Sequence, residues 1–319
     1  MLYSRRELGK MALATLPAAG LAARPIDALA AMIAAKPDSR VAGVQIGVNV
    51  PYSFGNNLMS GDDVLDGCIK LGVSAVELRS QPVELFMGVP QALLSAPPRG
   101  TPPDPAARKA AAEDLRKWRA SAPMSKAQDF RKKYENAGVL IQIVKFDNIL
   151  NFTDDVLDYA FELAKALGAT AISCELPVDQ VEASKRLGQF ADKHKIMIGF
   201  HGHATMTPAI WEQAFTYAKY NGANLDIGHF IGGNKTSPVP FLKKHHDRIT
   251  HLHVKDKTLD DKNVPFGKGD TPIKEVLQLI RDNKWKMQAT IEFEYAIPPG
   301  SDRMTEIGKC VQFCREALA

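Results

Sequence analysis

The chain has 319 residues, of which 45% are hydrophobic and 24% are charged, and its formal net charge is +4. This composition is typical of a globular protein, and the length suits one α/β barrel of about 250 residues with added segments. The small net charge gives no reason to expect a nucleic acid or an anionic membrane surface as a partner.

The first segment, residues 1–35, has the pattern of an export signal. A paired arginine at positions 5 and 6 precedes a moderately apolar run that is too short to cross a bilayer, and small residues follow. The motif resembles the twin-arginine signal, with Leu8 and Gly9 in place of the more usual phenylalanine and leucine. We therefore expect an exported, periplasmic protein without a stable membrane span. An amphipathic N-terminal helix of a cytoplasmic protein is the alternative.

After this segment, apolar runs rich in β-formers alternate with helix-like stretches. One such stretch, 153–167, has Thr153 as a candidate N-cap and Gly168 as its end, and the last covers 302–318. The alternation implies a parallel sheet, and eight repeats is the number that closes a barrel. The eight predicted strands are 43–49, 74–79, 139–146, 170–176, 196–201, 223–228, 249–255 and 289–295. The sequence predicts an α/β protein with a (β/α)8 TIM barrel over 40–319, and an open doubly wound sheet is the alternative.

One long insertion, at about 80–137, interrupts this rhythm after the second strand. It contains a proline-rich stretch and two charged helical stretches, and it is too long for a simple connection from strand to helix. A functional loop over the barrel mouth and a surface excursion are both consistent with the pattern.

Ionisable residues gather at the ends of the predicted strands, where a barrel places its active site. Strand interiors rarely hold such residues without partners, and a metal ion is the simplest device that satisfies several converging carboxylates and imidazoles. The candidates are Glu77, Arg79, Glu175, His201, His203, Asp226, His229, His251, His253, Lys255, Asp256, Glu292 and Glu294. An ion pair between Glu77 and Arg79 is an alternative for that strand, and only one of Glu292 and Glu294 need be a ligand.

The stretch KIMIGFHGHAT, residues 195–205, ends an apolar run with His201 and His203. Since residues i and i+2 of a strand point to the same side, both imidazoles are expected on one face. Metal binding and a polar end to a buried strand are both open from this pattern. His245 and His246, by contrast, are expected at a solvated helix end.

Four motifs in order carry a resemblance to a known family. LDIGH (225–229), HLHVKD (251–256), VPFGKGD (264–270) and IEFE (291–294) resemble the xylose isomerase-like barrels that are grouped as sugar phosphate isomerases/epimerases. The resemblance covers the chain from about residue 43 to its end. Apurinic endonuclease IV is a distant relative of this family, and its exported branch commonly has twin-arginine leaders.

The resemblance implies a metal site. Ketose 3-epimerases of the family hold a divalent ion, often manganese, by glutamate, aspartate, histidine and glutamate on four successive strands. By position, Asp226, His253 and Glu292 match the last three ligands, whereas the place of the first glutamate is taken by His201. We expect Glu175 to supply the missing oxygen ligand and His201 to bind either metal or substrate. Manganese is expected, with magnesium, cobalt or zinc as alternatives.

The resemblance also implies proton transfer at a carbon next to a sugar carbonyl or hydroxyl, with Glu175 and Glu292 as the candidate catalytic pair. The expected substrate is an unphosphorylated sugar or cyclitol, because sugar phosphates are mainly cytoplasmic. Gly267 and Gly269 are expected to let backbone approach the ligand closely. The residues expected to contact substrate are Glu77, His201, His203, His229, Lys255 and Glu294.

Several other functions are weighed against an isomerase or epimerase. A dehydratase or other lyase, including one that cleaves 3-keto-glycosides, would use the same groups. A nuclease like endonuclease IV needs more histidine ligands, on the second and third strands, than this chain offers, and the four cysteines have no zinc-type spacing, so buried thiols are expected. A sugar-binding barrel without activity is a further alternative. The sequence leaves a homo-oligomer open.

Overall fold

The computed structural model describes residues 36–95, 104–176 and 180–319. The predicted signal segment 1–35 lies outside the described residues. None of the described helices is both long enough and apolar enough to span a membrane.

Eight parallel strands form a closed barrel. Each strand pairs with the next along the chain, and the last strand pairs with the first, so these eight strands close into a ring. The predicted (β/α)8 barrel is therefore confirmed, and the open doubly wound sheet is wrong. The strands are β1 (Val44–Val50), β2 (Ala75–Arg79), β3 (Leu140–Lys145), β4 (Ala171–Glu175), β5 (Met197–His201), β6 (Asn221–Asp226), β7 (Ile249–Val254) and β8 (Gln288–Ile291).

The observed strand bounds differ most from the predicted ones at β8, which ends at Ile291 rather than at 295. The Glu292 N–H still donates to the Val254 carbonyl across the ladder, but the Phe293 N–H donates to the Ser53 hydroxyl instead. The chain therefore leaves the sheet immediately after Glu292, over the mouth of the barrel.

Helices cover the outside of the barrel. The predicted helix at 153–167 is confirmed as Asp154–Leu167, and Gly168 ends it with a positive φ of 75°. The described helices are α1 (Gly61–Lys70), α2 (Ser80–Met87), α3 (Pro105–Ser121), α4 (Met124–Ala137), α5 (Asp154–Leu167), α6 (Val181–His194), α7 (Pro208–Phe215), α8 (Ile227–Asn234), α9 (Val239–His245), α10 (Ile273–Asn283) and α11 (Arg303–Leu318).

The core lies between the barrel and its helices and contains aliphatic and aromatic side chains that are almost fully buried. All four cysteines are buried free thiols, as the sequence predicts. Burial of this kind of surface is the main favourable term in folding.

The segment 80–137 contains α2, α3 and α4, and a buried ion pair attaches α3 to the barrel. Arg119 Nε lies 2.8 Å from Glu84 Oε1 on α2, and the Tyr159 hydroxyl on α5 donates to the same oxygen. The Arg119 guanidinium also lies over the Phe152 ring, 4.8 Å from its centroid. A role for this segment over the barrel mouth stays a prediction.

Candidate active site and metal centre

A cluster of four buried side chains lies at the carboxyl ends of four successive strands. Each of β5, β6, β7 and β8 contributes one residue at or next to its end: His201, Asp226, His253 and Glu292. We call this group the four-residue cluster. One ligand atom from each residue lies within 4.8 Å of the others. The polar residues alternate with apolar ones such as Leu225 and Leu252, so the polar side chains point into the barrel.

The geometry of the four-residue cluster fits a divalent ion. His253 Nδ1 lies 3.1 Å from Glu292 Oε2 and 3.9 Å from Asp226 Oδ2. The same nitrogen is buried without a hydrogen-bond partner. Ligand atoms bound at about 2.1 Å and at right angles to one another lie about 3 Å apart. A shared ion would therefore satisfy the unpaired nitrogen.

In both histidines of the cluster, the outer nitrogen, which is the ring nitrogen that points away from the other ligand atoms, makes a hydrogen bond to a glutamate. His253 Nε2 donates to Glu77 Oε2 at 2.5 Å, and His201 Nδ1 donates to Glu175 Oε2 at 2.9 Å. These bonds leave His253 Nδ1 and His201 Nε2 as the nitrogens that face the cluster. A carboxylate on the outer nitrogen is the usual support of a metal-binding histidine, because it fixes the tautomer and the ring orientation.

Glu175 lies outside the four-residue cluster, in a second group with His201 and His203 whose ligand atoms could also hold an ion. Its carboxylate lies on the far side of the His201 ring from Asp226 and contacts Lys145 Nζ at 2.7 Å and His203 Nε2 at 3.0 Å. His201 takes the cluster position that the sequence analysis gave to Glu175. These three partners hold the pKa of Glu175 below its ordinary value, although burial alone would raise it.

Glu77 is fully buried beneath the cluster, with Oε2 at 2.5 Å from His253 Nε2 and 3.3 Å from His251 Nε2. The alternative of an ion pair with Arg79 is wrong, because Arg79 binds Asp147 through two contacts of 2.6 Å. Glu77 thus contacts a histidine of the cluster, and its predicted contact with substrate stays a prediction.

The Lys255 ammonium shares oxygens with the four-residue cluster. Its Nζ lies 2.5 Å from Glu292 Oε2 and 3.1 Å from Asp226 Oδ2, and it also contacts Glu294 Oε2 at 2.6 Å. Burial alone would raise the pKa of Glu292, but His253 and Lys255 hold it well below its ordinary value. The carboxylates are therefore ionised, and an added cation must share them with the ammonium.

Asp226 has two functions at the end of β6. Its Oδ2 belongs to the cluster, and its Oδ1 accepts a hydrogen bond of 2.7 Å from the His229 N–H, so that it caps the N-terminus of α8. The buried His229 ring lies against Lys257 Nζ at 3.2 Å. Burial lowers the pKa of His229 to about 4, so this histidine is neutral at pH 7.

The glycine loop after β7 folds around Asp256 and not around a ligand position. The Asp256 carboxylate accepts hydrogen bonds from the backbone N–H groups of Gly267, Lys268 and Gly269. A Cβ at Gly269 would lie 2.3 Å from Asp256 Oδ1, so glycine is required there. This contact corrects the expectation that Gly267 and Gly269 give a ligand access to backbone.

Comparison with known proteins agrees with this geometry. The family described as the xylose isomerase-like TIM barrel matches residues 155–316, which is just over half of the chain. The chain belongs to this family. No curated protein sequence matches it.

Several solved structures share the fold of this xylose isomerase-like barrel at low sequence identity. A probable 3-DHS dehydratase, AsbF, involved in petrobactin synthesis in Bacillus anthracis is 13% identical, with a TM-score of 0.60 over 85% of this chain and 99% of that one. D-psicose 3-epimerase from Clostridium cellulolyticum H10 is 10% identical, with a TM-score of 0.60 over 86% and 99%. A sugar phosphate isomerase/epimerase from Parabacteroides distasonis is 16% identical, with a TM-score of 0.56 over 86% and 95%.

Sequence reasoning missed four residues that shape the site of this xylose isomerase-like barrel. Asn49 Nδ2 donates to Glu292 Oε1 at 2.8 Å, and the Tyr52 hydroxyl donates to Glu294 Oε1 at 2.7 Å. Lys145 holds Glu175, and the Asn224 amide lies 2.9 Å from His253 Nε2. Asn49, Lys145 and Asn224 were detectable as polar residues inside strands, whereas Tyr52 lies in a short turn of 3-10 helix after β1 that has no distinctive pattern.

Proposed function

We propose that this protein is a divalent-metal-dependent enzyme that isomerises or epimerises an unphosphorylated sugar or cyclitol by proton transfer next to its carbonyl carbon. The observation that carries the proposal is the convergence of two imidazoles and two carboxylates in one buried cluster at the mouth of the barrel. Each imidazole has a glutamate on its outer nitrogen, which is the arrangement expected of metal ligands.

The residues that would hold the ion are His201, Asp226, His253 and Glu292. A divalent ion bound there would polarise two neighbouring oxygens of a keto-sugar and stabilise the enediolate. Two nitrogens and two oxygens suit manganese, with cobalt, zinc and magnesium as alternatives. His229 is neutral and therefore suited to bind a hydroxyl without adding charge.

Two groups with opposite pKa shifts are suited to move the proton. Glu292 is held as a carboxylate by Lys255 and by Asn49, so it is present in the form that accepts a proton. His203 is mostly exposed, and its hydrogen bond to Glu175 raises its pKa, so it is protonated more than an ordinary histidine. Groups whose environments push their pKa values apart divide acid and base work between them. We assign proton removal to Glu292 and proton return to His203.

The charges around the cluster favour a substrate without phosphate. Lys145 contacts Glu175, Lys255 contacts three carboxylates, and Lys257 Nζ lies 2.6 Å from Asp261 Oδ1. Each of these ammonium groups is already paired, so a phosphate at the cluster would have no cation to itself. A neutral polyol has no such requirement.

The test is an incubation of the protein with manganese and a panel of unphosphorylated keto-sugars in deuterated water. Deuterium at the carbon next to the carbonyl is expected with the wild type and not with Asp226→Asn, which keeps a good N-cap for α8 but loses the carboxylate. His246→Ala is the matched control. His246 lies before the start of β7, at the other end of the barrel, where its ring stacks on Trp285. Binding without exchange over the whole panel would contradict the proposal, and loss of water or of a glycosyl group would identify a lyase instead.

A further inference from the structure

A pocket opens at the barrel mouth beside the four-residue cluster, between the loops that follow β1, β7 and β8. We call it the flanking pocket; its volume is about 480 Å3, within the usual range for small-molecule sites. Its principal lining residues are Tyr52, Asn57, Asn263, Phe293, Glu294 and Arg303. We propose that it binds a second sugar ring, so that the substrates are glycosyl-substituted keto-sugars. This inference rests on the proposed function.

The flanking pocket shares a wall with the cluster. Glu294 lines the pocket, and its two carboxylate oxygens are held by the Tyr52 hydroxyl and by Lys255 Nζ. The same Lys255 ammonium contacts Asp226 and Glu292 of the cluster. A ligand that contacts the cluster past Lys255 would therefore extend past Glu294 into the flanking pocket.

The lining of the flanking pocket suits a neutral polyol. The Arg303 guanidinium lies over the Phe293 ring, 5.2 Å from its centroid, and Nη1 donates to the Ser53 carbonyl at 3.2 Å. These contacts hold the guanidinium in place, so that its remaining N–H groups can donate to the hydroxyl groups of a sugar ring. Asn57 is exposed, and within the described residues its amide makes no hydrogen bond, so its donors and acceptor are available to hydroxyl groups.

An anionic substituent fits this pocket less well than a sugar ring. Arg303 is the pocket's one cationic side chain among the described lining residues, and the Glu294 carboxylate lies in the same wall. A phosphate or uronate would lie near that carboxylate, and like charges brought together cost binding energy. The hydroxyl groups of a sugar ring, by contrast, can donate to a carboxylate and accept from a guanidinium.

The test uses the full chain loaded with diamagnetic zinc, because paramagnetic manganese would broaden the ligand signals near the cluster. The ligands are D-fructose, D-fructose 6-phosphate and two keto-disaccharides, lactulose and isomaltulose. Saturation-transfer NMR reports which ring of a bound disaccharide contacts the protein, whether or not the protein turns it over. Saturation of both rings is expected with at least one disaccharide, together with tighter binding than that of D-fructose. Saturation of the fructose ring alone, no disaccharide binding, or tightest binding of the phosphate would overturn the inference.

Substitutions that fill the pocket make the test specific. Asn57→Trp and Asn263→Trp place a large side chain at exposed lining positions, and each is expected to lower the ratio of disaccharide to D-fructose affinity at least tenfold. Asn283→Trp, at an exposed position at the end of α10, is the control and should leave the ratio unchanged. An unchanged ratio in both pocket variants would overturn the inference. Disaccharide binding without deuterium exchange would instead refute the proposed function and leave the subsite standing.

Discussion

Replacement of Glu77 is the sharpest test of the metal centre, because Glu77 lies outside the four-residue cluster and contacts its His253. Its carboxylate keeps a proton on His253 Nε2, so that Nδ1 is the nitrogen that gives up its proton to a metal. In Glu77→Gln one amide oxygen can still accept this bond, but the charge is lost and an NH2 group replaces the second oxygen. In Glu77→Ala the bond is lost entirely, and His251 loses its neighbour at 3.3 Å as well.

Loss of such an outer partner typically weakens metal affinity 10- to 100-fold, which corresponds to about 1.4–2.7 kcal/mol. We expect Glu77→Gln near the lower end and Glu77→Ala near the upper end, measured as the manganese Kd by isothermal titration calorimetry at constant pH. Glu275→Gln, at an exposed position on α10, is the control. A manganese Kd within a factor of two of wild type in both Glu77 variants would refute this account of the cluster.

Three further predictions concern pH, charge and stability. Burial alone would lower the pKa of His253, but Glu292 and Glu77 raise it to about 10. Metal binding therefore displaces a proton, and the metal affinity should rise about tenfold per pH unit between about pH 6 and 8. A flat profile of Kd against pH would contradict this. Lys255→Met should tighten manganese binding at least tenfold, because the ammonium no longer competes for the cluster oxygens, and weaker binding would count against it. Arg119→Met should lower the free energy of unfolding by about 3–5 kcal/mol in urea titrations, because Glu84 is left buried and unpaired. A loss no larger than that of a Lys117→Met control, at an exposed position on α3, would refute it.

The fold was predictable because its signals are local. Eight short β-rich runs, each followed by a helix-like stretch, are sufficient to imply a parallel barrel, and Gly168 marked the end of a helix correctly. The mouth residues Asp226, His253 and Glu292 were predictable for the same reason, since strand ends converge in this architecture.

Contacts across the barrel interior were not predictable, because they depend on the stagger between strands. His201 is in register with Asn224 on the neighbouring strand, yet its ring faces Asp226, two residues further along. Glu77 reaches histidines on β7, which is not a neighbour of β2 in the sheet. Sequence spacing alone therefore could not decide between a support for His253 and a contact with substrate.

The double use of Asp226 has a consequence for comparing related barrels. A relative that has lost its ion would still need a good N-cap at the start of α8, and aspartate, asparagine or serine would each be retained there for that reason alone. His253 and Glu292 have no capping duty, so no such pressure would preserve them. Divergence at those two positions, with the capping residue intact, is the pattern by which a survey of homologues would separate metal-free descendants from enzymes.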